Sequence, residues 1–81
     1  MVAKSNDRKR YQICFKDVSD IKTFVDAAKS LEGECELISG RYRVDAKSLI
    51  AVFTLPIGNR MELEVEQMQT ELPEQIRKYI S

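Results

Sequence analysis

The strongest constraint on the fold is the alternation in "RMELEVE", residues 60 to 66, where apolar residues and glutamates follow one another in turn. Successive side chains of a β-strand point to opposite faces of its sheet. The segment therefore predicts a strand with Met61, Leu63 and Val65 facing a core and the three glutamates facing water. A sheet with one solvated face needs its helices on the other face, so all helices of this chain are predicted to lie on one side.

Three further strands are predicted from alternating segments. "RKRYQICF" is typical of a first strand, with Tyr11, Ile13 and Phe15 on the inward side. "ECELI" and "RYRV" alternate in the same way, and the "SG" between them predicts a tight hairpin in which Gly40 supplies the permissive backbone.

The clearest helical pattern runs from Ser19 to Glu32, where Asp17, Ser19 or Asp20 can cap the start and Gly33 can end the helix. A short second helix follows "RYRV", and "TELPEQIRKYI" predicts a third. The order is strand, helix, strand, strand, helix, strand, helix. We therefore predict an α+β fold: an open-faced β-sandwich of βαββαβα order, with a four-stranded antiparallel sheet and three helices on one face.

The size and composition of the chain indicate one domain, 1–81. A chain of 81 residues with 43% hydrophobic and 32% charged residues is typical of a small globular domain. No apolar run approaches the roughly 20 residues needed to cross a bilayer, and "MVAKSNDRKR" lacks the apolar segment of a secretory signal. We expect a cytoplasmic protein without membrane insertion, in which residues 1–9 form a flexible basic leader.

The charge balance disfavours nucleic acid as a partner. Lys plus Arg equals Asp plus Glu at 13 each, so no global field attracts a polyanion. The basic residues between Lys4 and Arg10 leave weak RNA binding as an alternative. Because that arm lacks interleaved aromatic residues and a second basic stripe, the alternative ranks last.

The residues that usually carry catalysis or hold metals are absent. The chain has no histidine, which removes the commonest general base and metal ligand, and its three glycines stand singly rather than in a phosphate loop. Asp17 and Asp20 flank a helix start, where capping explains them better than catalysis. We expect no enzyme activity, no metal, no cofactor and no small-molecule substrate.

The two cysteines do not predict a disulfide framework. Cys14 alternates against the inward residues of the first strand, whereas Cys35 shares a side with Leu37, so the two thiols are expected on opposite faces of the sheet. Free thiols in a reducing compartment are the simplest interpretation.

The segment "YRVDAKSLIAVFTL" combines a helix start with a surplus of apolar residues. Asp45 and Ser48 are both good caps, so the Ser48 hydroxyl is expected among the free backbone N–H groups of the first turn. Only one side of so short a helix can face the sheet, and helical spacing groups Leu49, Ile50 and Phe53 on one side. The segment is either a capped, buried helix or a docking patch beside a phosphorylatable serine.

At this point the chain resembles the HPr family, the small phosphocarriers of the bacterial sugar phosphotransferase system. The resemblance covers residues from about 11 to 80 and is most specific in "GRYRVDAKSLIAVFTL". This stretch is similar to the regulatory-serine segment of the family, in which a Lys-Ser pair and a short apolar helix precede the fourth strand. The resemblance implies the family's open-faced β-sandwich, in agreement with the predicted order of elements.

The resemblance also implies roles for individual residues. Ser48 falls at the position that an ATP-dependent bifunctional kinase phosphorylates in Gram-positive members of the family. Lys47 and three apolar residues match the surface that engages the kinase, a LacI-type transcription regulator and phosphotransferase partners: Leu49, Ile50 and Phe53.

The chain departs from the family at its catalytic motif. Family members carry a Gly-Leu-His-Ala-Arg-Pro-Ala-type motif whose histidine accepts phosphate from phosphoenolpyruvate. Counting back from Ser48 without a gap, Asp17 stands at the histidine position and Ser19 at the arginine position. A phosphocarrier reaction through histidine is therefore chemically impossible in this chain.

Two hypotheses of different classes follow. The first is a non-catalytic, HPr-like regulatory protein that binds a protein partner through the Ser48 helix, gated by Ser48 phosphorylation. The second keeps phosphoryl transfer and moves it to Asp17 as an acyl phosphate, a chemistry that usually needs a metal and a second acidic residue.

Overall fold

The computed structural model of the chain describes residues 8–56, 58–66 and 72–80. Within these ranges no helix is long and apolar enough to cross a membrane. The elements follow one another along the chain in the predicted order: β1 (Arg8–Ile13), α1 (Val18–Ala28), β2 (Cys35–Ser39), β3 (Tyr42–Asp45), α2 (Leu49–Val52), β4 (Met61–Glu66) and α3 (Glu74–Arg77).

The four strands form an antiparallel sheet in the order β1-β4-β2-β3. The register aligns the inward residues of neighbouring strands, since Tyr11 pairs with Leu63 and Leu63 pairs with Leu37. Leu63 and Leu37 are fully buried, and the helices bury their apolar residues in the same cluster. The predicted α+β fold, with a four-stranded antiparallel sheet and three helices, is confirmed.

The core lies between the sheet and the helices and is organised around three aromatic rings. The ring of Phe15 contacts the ring of Phe24 edge to face at 5.2 Å and the ring of Tyr79 at 5.4 Å between centroids. Phe15 comes from the segment after β1, Phe24 from α1 and Tyr79 from the turn after α3. A backbone bridge between Ile13 and Ile80 anchors this end of the chain beside β1. The aromatic cluster therefore joins the first strand, the first helix and the C-terminal helix.

Helix α1 begins with a capping box. The Asp17 carboxylate accepts hydrogen bonds from the backbone N–H groups of Ser19 and Asp20, at 3.0 and 3.3 Å. In return the Asp20 carboxylate accepts the Asp17 N–H at 3.2 Å. Two aspartates thus satisfy donors that would otherwise have no partner in the first turn.

Helix α1 ends four residues earlier than its apolar pattern indicates. The prediction extended it to Glu32, whereas the helix stops at Ala28. The next turn is closed by shorter-range bonds, in which the Ser30 hydroxyl donates to the Ala27 carbonyl at 2.6 Å and the Leu31 N–H donates to the Ala28 carbonyl. Leu31 is still buried in the core, so the apolar pattern continues beyond the end of the helix.

Two boundary predictions are corrected at the strands. β1 begins at Arg8, so Arg8 and Lys9 pair with β4 instead of belonging to the leader; residues 1–7 lie outside the described residues. In the hairpin, Ser39 pairs with Tyr42, so the two loop residues are Gly40 and Arg41 rather than "SG". Gly40 has a φ of 61°, which explains why glycine occupies that position.

The open face of the sheet carries an ion-pair network that the alternation did not predict. Glu64 was expected in water, yet it is only 6% exposed. Its carboxylate accepts hydrogen bonds from Arg8 at 3.0 Å, from Arg10 at 2.9 Å and from Arg43 at 3.4 Å. Arginine side chains from both edge strands thus cover a glutamate in the central strand β4, and the prediction of a solvated Glu64 was wrong.

The two cysteines are both free, but they differ in environment. Cys35 is 2% exposed in the core, where burial raises the pKa of its thiol to about 11 despite the opposing charge of Lys47. Cys14 is half-buried and lies beyond the end of β1, where its N–H donates to the Tyr79 carbonyl. No disulfide links the two residues.

This difference predicts a selective thiol reaction. A disulfide reagent such as DTNB should label Cys14 in the folded protein, because Cys14 is only half-buried, while Cys35 stays unreacted until denaturant is added. Absorbance would report one thiol per chain before unfolding and two after it. Labelling of Cys35 in the absence of denaturant, located by mass spectrometry, would contradict its burial.

Candidate functional site

The site predicted around Ser48 forms where β3 turns into α2. Asp45 ends β3, and its carboxylate accepts the Lys47 N–H at 2.9 Å while its carbonyl accepts the Ser48 N–H at 3.1 Å. Ser48 then caps α2, with its hydroxyl oxygen accepting the Ala51 N–H at 3.3 Å. Both residues proposed as caps are therefore used, Asp45 for the turn and Ser48 for the helix.

The apolar residues of α2 divide between the core and solvent. Val52 is fully buried and Leu49 is partly buried against the core. Ile50 is 81% exposed and Phe53 is 46% exposed. Residues three apart lie side by side on a helix, so Ile50 and Phe53 form one apolar patch with the half-buried Leu49 at its margin. We call these three residues the α2 surface.

Lys47, predicted to contact a partner, is held within the protein. Its ammonium group donates to the carbonyl of Leu31 at 2.7 Å and to the carbonyl of Gly33 at 2.9 Å. These carbonyls belong to the connection between α1 and β2. Lys47 thus fixes the start of α2 against that connection.

Arg43, on the strand that leads to Ser48, is also engaged elsewhere. Its guanidinium pairs with Glu36 and Glu64 on the open face of the sheet, and the hydrogen bond to Glu36 raises the pKa of Arg43 further. A phosphate on Ser48 would therefore have to draw on the backbone N–H groups of the first turn of α2.

The Ser48 cap predicts a modest stability effect. Ser48→Ala removes the oxygen that accepts the Ala51 N–H and should lower the free energy of unfolding by about 1 kcal/mol, whereas Ser48→Asp retains an acceptor and should cost less. Urea unfolding followed by circular dichroism measures both. Equal losses for the two variants would show that the cap contributes nothing.

Asp17, which the resemblance to the HPr family predicted at the histidine position, acts as a helix cap. Its Oδ1 accepts the Ser19 hydroxyl at 2.6 Å in addition to two backbone N–H groups. The hydrogen bond from the Ser19 hydroxyl, aided by the backbone N–H groups, holds the pKa of Asp17 below its usual value. Phosphorylation at Oδ1 would have to break all three bonds.

No metal site accompanies Asp17. Among residues 8–56, 58–66 and 72–80, no group of three or more histidine, cysteine, aspartate or glutamate side chains is placed to hold an ion. The second carboxylate near Asp17 is Asp20, whose Oδ2 already accepts the N–H groups of Lys16 and Asp17. The acidic pair thus serves the helix start, and it lacks the partners that acyl phosphate chemistry usually uses.

The basic arm considered for RNA binding is partly neutralised. Arg8 pairs with Glu34 and Glu64, and Arg10 pairs with Glu62 and Glu64 on the open face of the sheet. These arginines were counted among the arm's free charges in the sequence. Since their charges are matched inside the protein, the arm has fewer cations to offer a phosphate backbone.

A shallow cleft of about 380 Å³ lies between the start of α1 and the end of α3. Its lining includes the Cys14 thiol, two lysines and the Tyr79 ring, over which Lys78 lies at 5.3 Å from the centroid. The Tyr79 hydroxyl lies 3.5 Å from the Asp20 carboxylate, which the capping box already employs. Sequence patterns could not indicate this cleft, since its walls come from segments some sixty positions apart.

No family model, curated protein or solved structure matches the chain.

Proposed function

We propose that this protein is a non-catalytic, HPr-like regulatory protein related to the phosphotransferase system, which binds a protein partner through the α2 surface. The observation that carries the proposal is the exposure of Ile50 and Phe53 side by side at α2, whose other apolar residues are buried or partly buried. An exposed isoleucine next to an exposed phenylalanine costs solvation free energy unless a partner covers them.

The fold supports the same proposal. The order of elements and the antiparallel sheet agree with the architecture that the resemblance implies. The resemblance is strongest in the segment that forms β3, its turn and α2, and this segment carries the exposed patch. The catalytic half of the family's site is replaced by the capping box of Asp17 and Asp20. A docking function therefore fits the chain better than phosphoryl transfer.

Phosphorylation of Ser48 is proposed as the gate of this docking. Ser48 is half-exposed, and its hydroxyl makes one hydrogen bond, to the Ala51 N–H. A phosphoryl oxygen can replace the hydroxyl as acceptor for that N–H, so the modification need not unfold α2. It would place two negative charges two residues from Ile50, at the margin of the patch that a partner must cover.

The docking proposal is tested with one substitution and a matched control. Ile50→Glu puts a charge in the centre of the α2 surface, while Val18→Glu makes the same kind of change at another exposed apolar residue, on α1. Neither should change the free energy of unfolding by more than about 0.5 kcal/mol. The candidate partners are a bifunctional serine kinase, a LacI-type regulator and phosphotransferase components.

Binding to these purified partners, measured by biolayer interferometry, should fall at least tenfold for Ile50→Glu, as expected for a residue at the centre of an interface. Val18→Glu should bind like the original chain. Equal binding by both variants would place the contact outside the α2 surface and end the proposal.

The gate is tested by incubating the protein with a bifunctional serine kinase and ATP and mapping the product by mass spectrometry. We expect phosphate on Ser48 and none on the Ser48→Ala variant. If Ser48 stays unmodified under conditions that label an HPr with a regulatory serine, phosphorylation is rejected as the gate. The docking surface is then judged by the Ile50→Glu result alone.

A further inference from the structure

Strand β3 is an edge of the sheet, and half of its backbone hydrogen-bonding groups point away from β2. In an antiparallel pair, alternate residues turn their N–H and C=O groups toward the neighbouring strand. The Ala46 N–H donates to the Cys35 carbonyl at 3.0 Å, so Val44, two positions earlier, also faces β2 in the observed register. Arg43 and Asp45 therefore direct their backbone groups toward the open edge.

Most of these outward groups are available for another strand. Within residues 8–56, 58–66 and 72–80, no hydrogen bond engages the N–H groups of Arg43 and Asp45 or the Arg43 carbonyl. The Asp45 carbonyl accepts the Ser48 N–H at 3.1 Å and has a second lone pair left. A row of unpaired backbone groups at a sheet edge is a template for pairing with another chain.

The side chains of β3 give this edge a self-complementary charge pattern. Val44 packs against the core, so Arg43 and Asp45 on either side of it point to the open face. In the described part of the chain, Arg43 uses one nitrogen, Nη1, for Glu36 and Glu64, and its side chain is 45% exposed. Asp45 forms no ion pair among the described residues and lies opposite the like-charged Glu36 on β2. A cation beyond the edge would therefore give Asp45 a counterion.

We propose that β3 pairs antiparallel with β3 of a second copy of the chain, about a two-fold axis at Val44. Arg43 of one copy would then lie directly opposite Asp45 of the other, on both sides of the axis. The two residues of each pair would exchange backbone hydrogen bonds, and their side chains would form an ion pair on the open face. Two four-stranded sheets would thus join into one continuous sheet.

The charges favour this register and this edge. An axis at Arg43 would also align the outward backbone groups, but it would place Arg43 opposite Arg43 of the second copy, and like charges directly opposite each other are destabilising. The other edge strand, β1, begins with three basic residues, Arg8, Lys9 and Arg10. Charged residues of one sign, lysine above all, protect an edge from pairing. β3 is thus the edge that fits a second copy.

The helix-bearing side of the same edge carries an exposed aromatic ring. Tyr42 is 63% exposed, and Val44, on the same side of β3, is half-buried. In the proposed register, Val44 meets Val44 of the second copy across the axis, and Tyr42 reaches the same valine diagonally. Aromatic and β-branched residues are favourable cross-strand neighbours. The contact would therefore cover apolar surface of Tyr42 that faces water in the single chain.

The expected association is weak, because only a four-residue strand takes part. Small interfaces, below about 1,200 Å², are typical of transient complexes. The inference goes beyond the proposed docking function and does not depend on it, since the α2 surface is not part of the contact. Failure of β3 pairing would leave the Ile50→Glu test of docking unaffected.

Sedimentation equilibrium of the complete chain, from about 10 μM to about 1 mM, measures the association. The apparent mass should rise from that of one chain toward that of two, and added salt should reduce the rise. Amide proton shifts of Arg43 and Asp45 should move with concentration, whereas the Val44 amide, which faces β2 in either state, should move less. A constant mass would overturn the inference. Shifts confined to Ile50 and Phe53 would place the contact on the α2 surface and overturn it as well.

A charge exchange tests the register. Arg43→Glu should stay a single chain at all concentrations, because carboxylates would face each other, and Asp45→Lys should do the same, because cations would. An equal mixture of the two variants restores opposite charges at every cross-strand pair. It should therefore associate about as tightly as the original chain, and at least about tenfold more tightly than either variant alone.

The controls keep this test decisive. Circular dichroism checks that each variant is folded, since Arg43 also contacts glutamates on the open face. Asp45→Lys tests the edge even if Arg43→Glu does not fold, because the Asp45 carboxylate accepts only the exposed Lys47 N–H within the described residues. Lys9→Glu reverses an exposed charge on β1 and should associate like the original chain. Undiminished association of Asp45→Lys, or a folded mixture that does not associate, would overturn β3 pairing.

Discussion

Replacement of Phe24 by alanine is expected to lower the free energy of unfolding by about 3–5 kcal/mol, the range measured for buried aromatic residues. Phe24 is fully buried, and its ring contacts Phe15 at 5.2 Å and Tyr79 at 6.4 Å between centroids. These contacts join α1 to the chain segments after β1 and α3, so no single element can move in to fill the space. The free energy of unfolding of a small domain is about 5–15 kcal/mol in total, so the variant should be close to unfolding at ordinary temperature.

Phe53→Ala is the matched control for this prediction. It removes the same atoms from a side chain that is 46% exposed on α2 and should cost about 1 kcal/mol or less. Guanidinium unfolding followed by circular dichroism measures both variants. If Phe24→Ala loses no more stability than Phe53→Ala, the aromatic cluster is not the centre of the core.

Replacement of Glu64 by alanine is expected to lower the free energy of unfolding by about 1–3 kcal/mol, the usual range for hydrogen bonds to charged groups. The substitution removes the acceptor shared by Arg8, Arg10 and Arg43 and leaves their charges close together. Glu62→Ala is the control, since Glu62 is more exposed and, within residues 8–56, 58–66 and 72–80, pairs with Arg10 alone. Equal losses of stability for the two variants would show that Glu64 contributes no more to the network than Glu62.

The same carboxylate should make stability depend on pH. Burial raises the pKa of Glu64, but hydrogen bonds from Arg8 and Arg10 together with the charge of Arg43 outweigh burial, so the pKa lies below its usual value of 4.5. A lowered pKa in the folded state adds stability above the unfolded value, and this contribution is lost as pH falls through the folded value. Unfolding curves between about pH 7 and about pH 3 should show a steeper loss below about pH 4.5 for the original chain than for Glu64→Gln.

The fold could be predicted from the sequence because its elements carry strong local patterns. The alternation of β4 gave the buried face of Met61, Leu63 and Val65, and these three residues are in the core. The surplus of apolar residues in α2 predicted exposed side chains, and Ile50 and Phe53 are exposed. Each of these conclusions depends only on the pattern of residues that are close together in the sequence.

The environment of Glu64 could not be predicted in the same way. Alternation shows which face of a sheet a residue occupies, but not which side chains lie beside it on neighbouring strands. Arg10 lies directly opposite Glu64, and Arg8 reaches the same carboxylate diagonally, from a strand that is more than fifty positions away. Cross-strand partners of this kind depend on the order of strands, which the local pattern does not encode.

Lys47 illustrates the same limit at the candidate site. The Lys-Ser pair placed Lys47 next to the cap of α2, and the resemblance predicted Lys47 as a partner-binding residue. Its ammonium group donates hydrogen bonds to the carbonyls of Leu31 and Gly33, in the connection between α1 and β2. These contacts join residues 16 and 14 positions apart, so a pattern of neighbouring residues does not predict them.

The open face and the helix-covered face of the sheet should respond to solvent in opposite ways. Among the described residues, the open face is held by eight arginine–glutamate contacts, and the other face by a core from which water is excluded. Sulfate strengthens the burial of apolar side chains, whereas any salt screens ion pairs. Warming lowers the desolvation cost of ion pairs, so the open face should contribute a growing share of the stability as temperature rises. The two faces of one sheet are thus stabilised by interactions that respond differently to salt and to temperature.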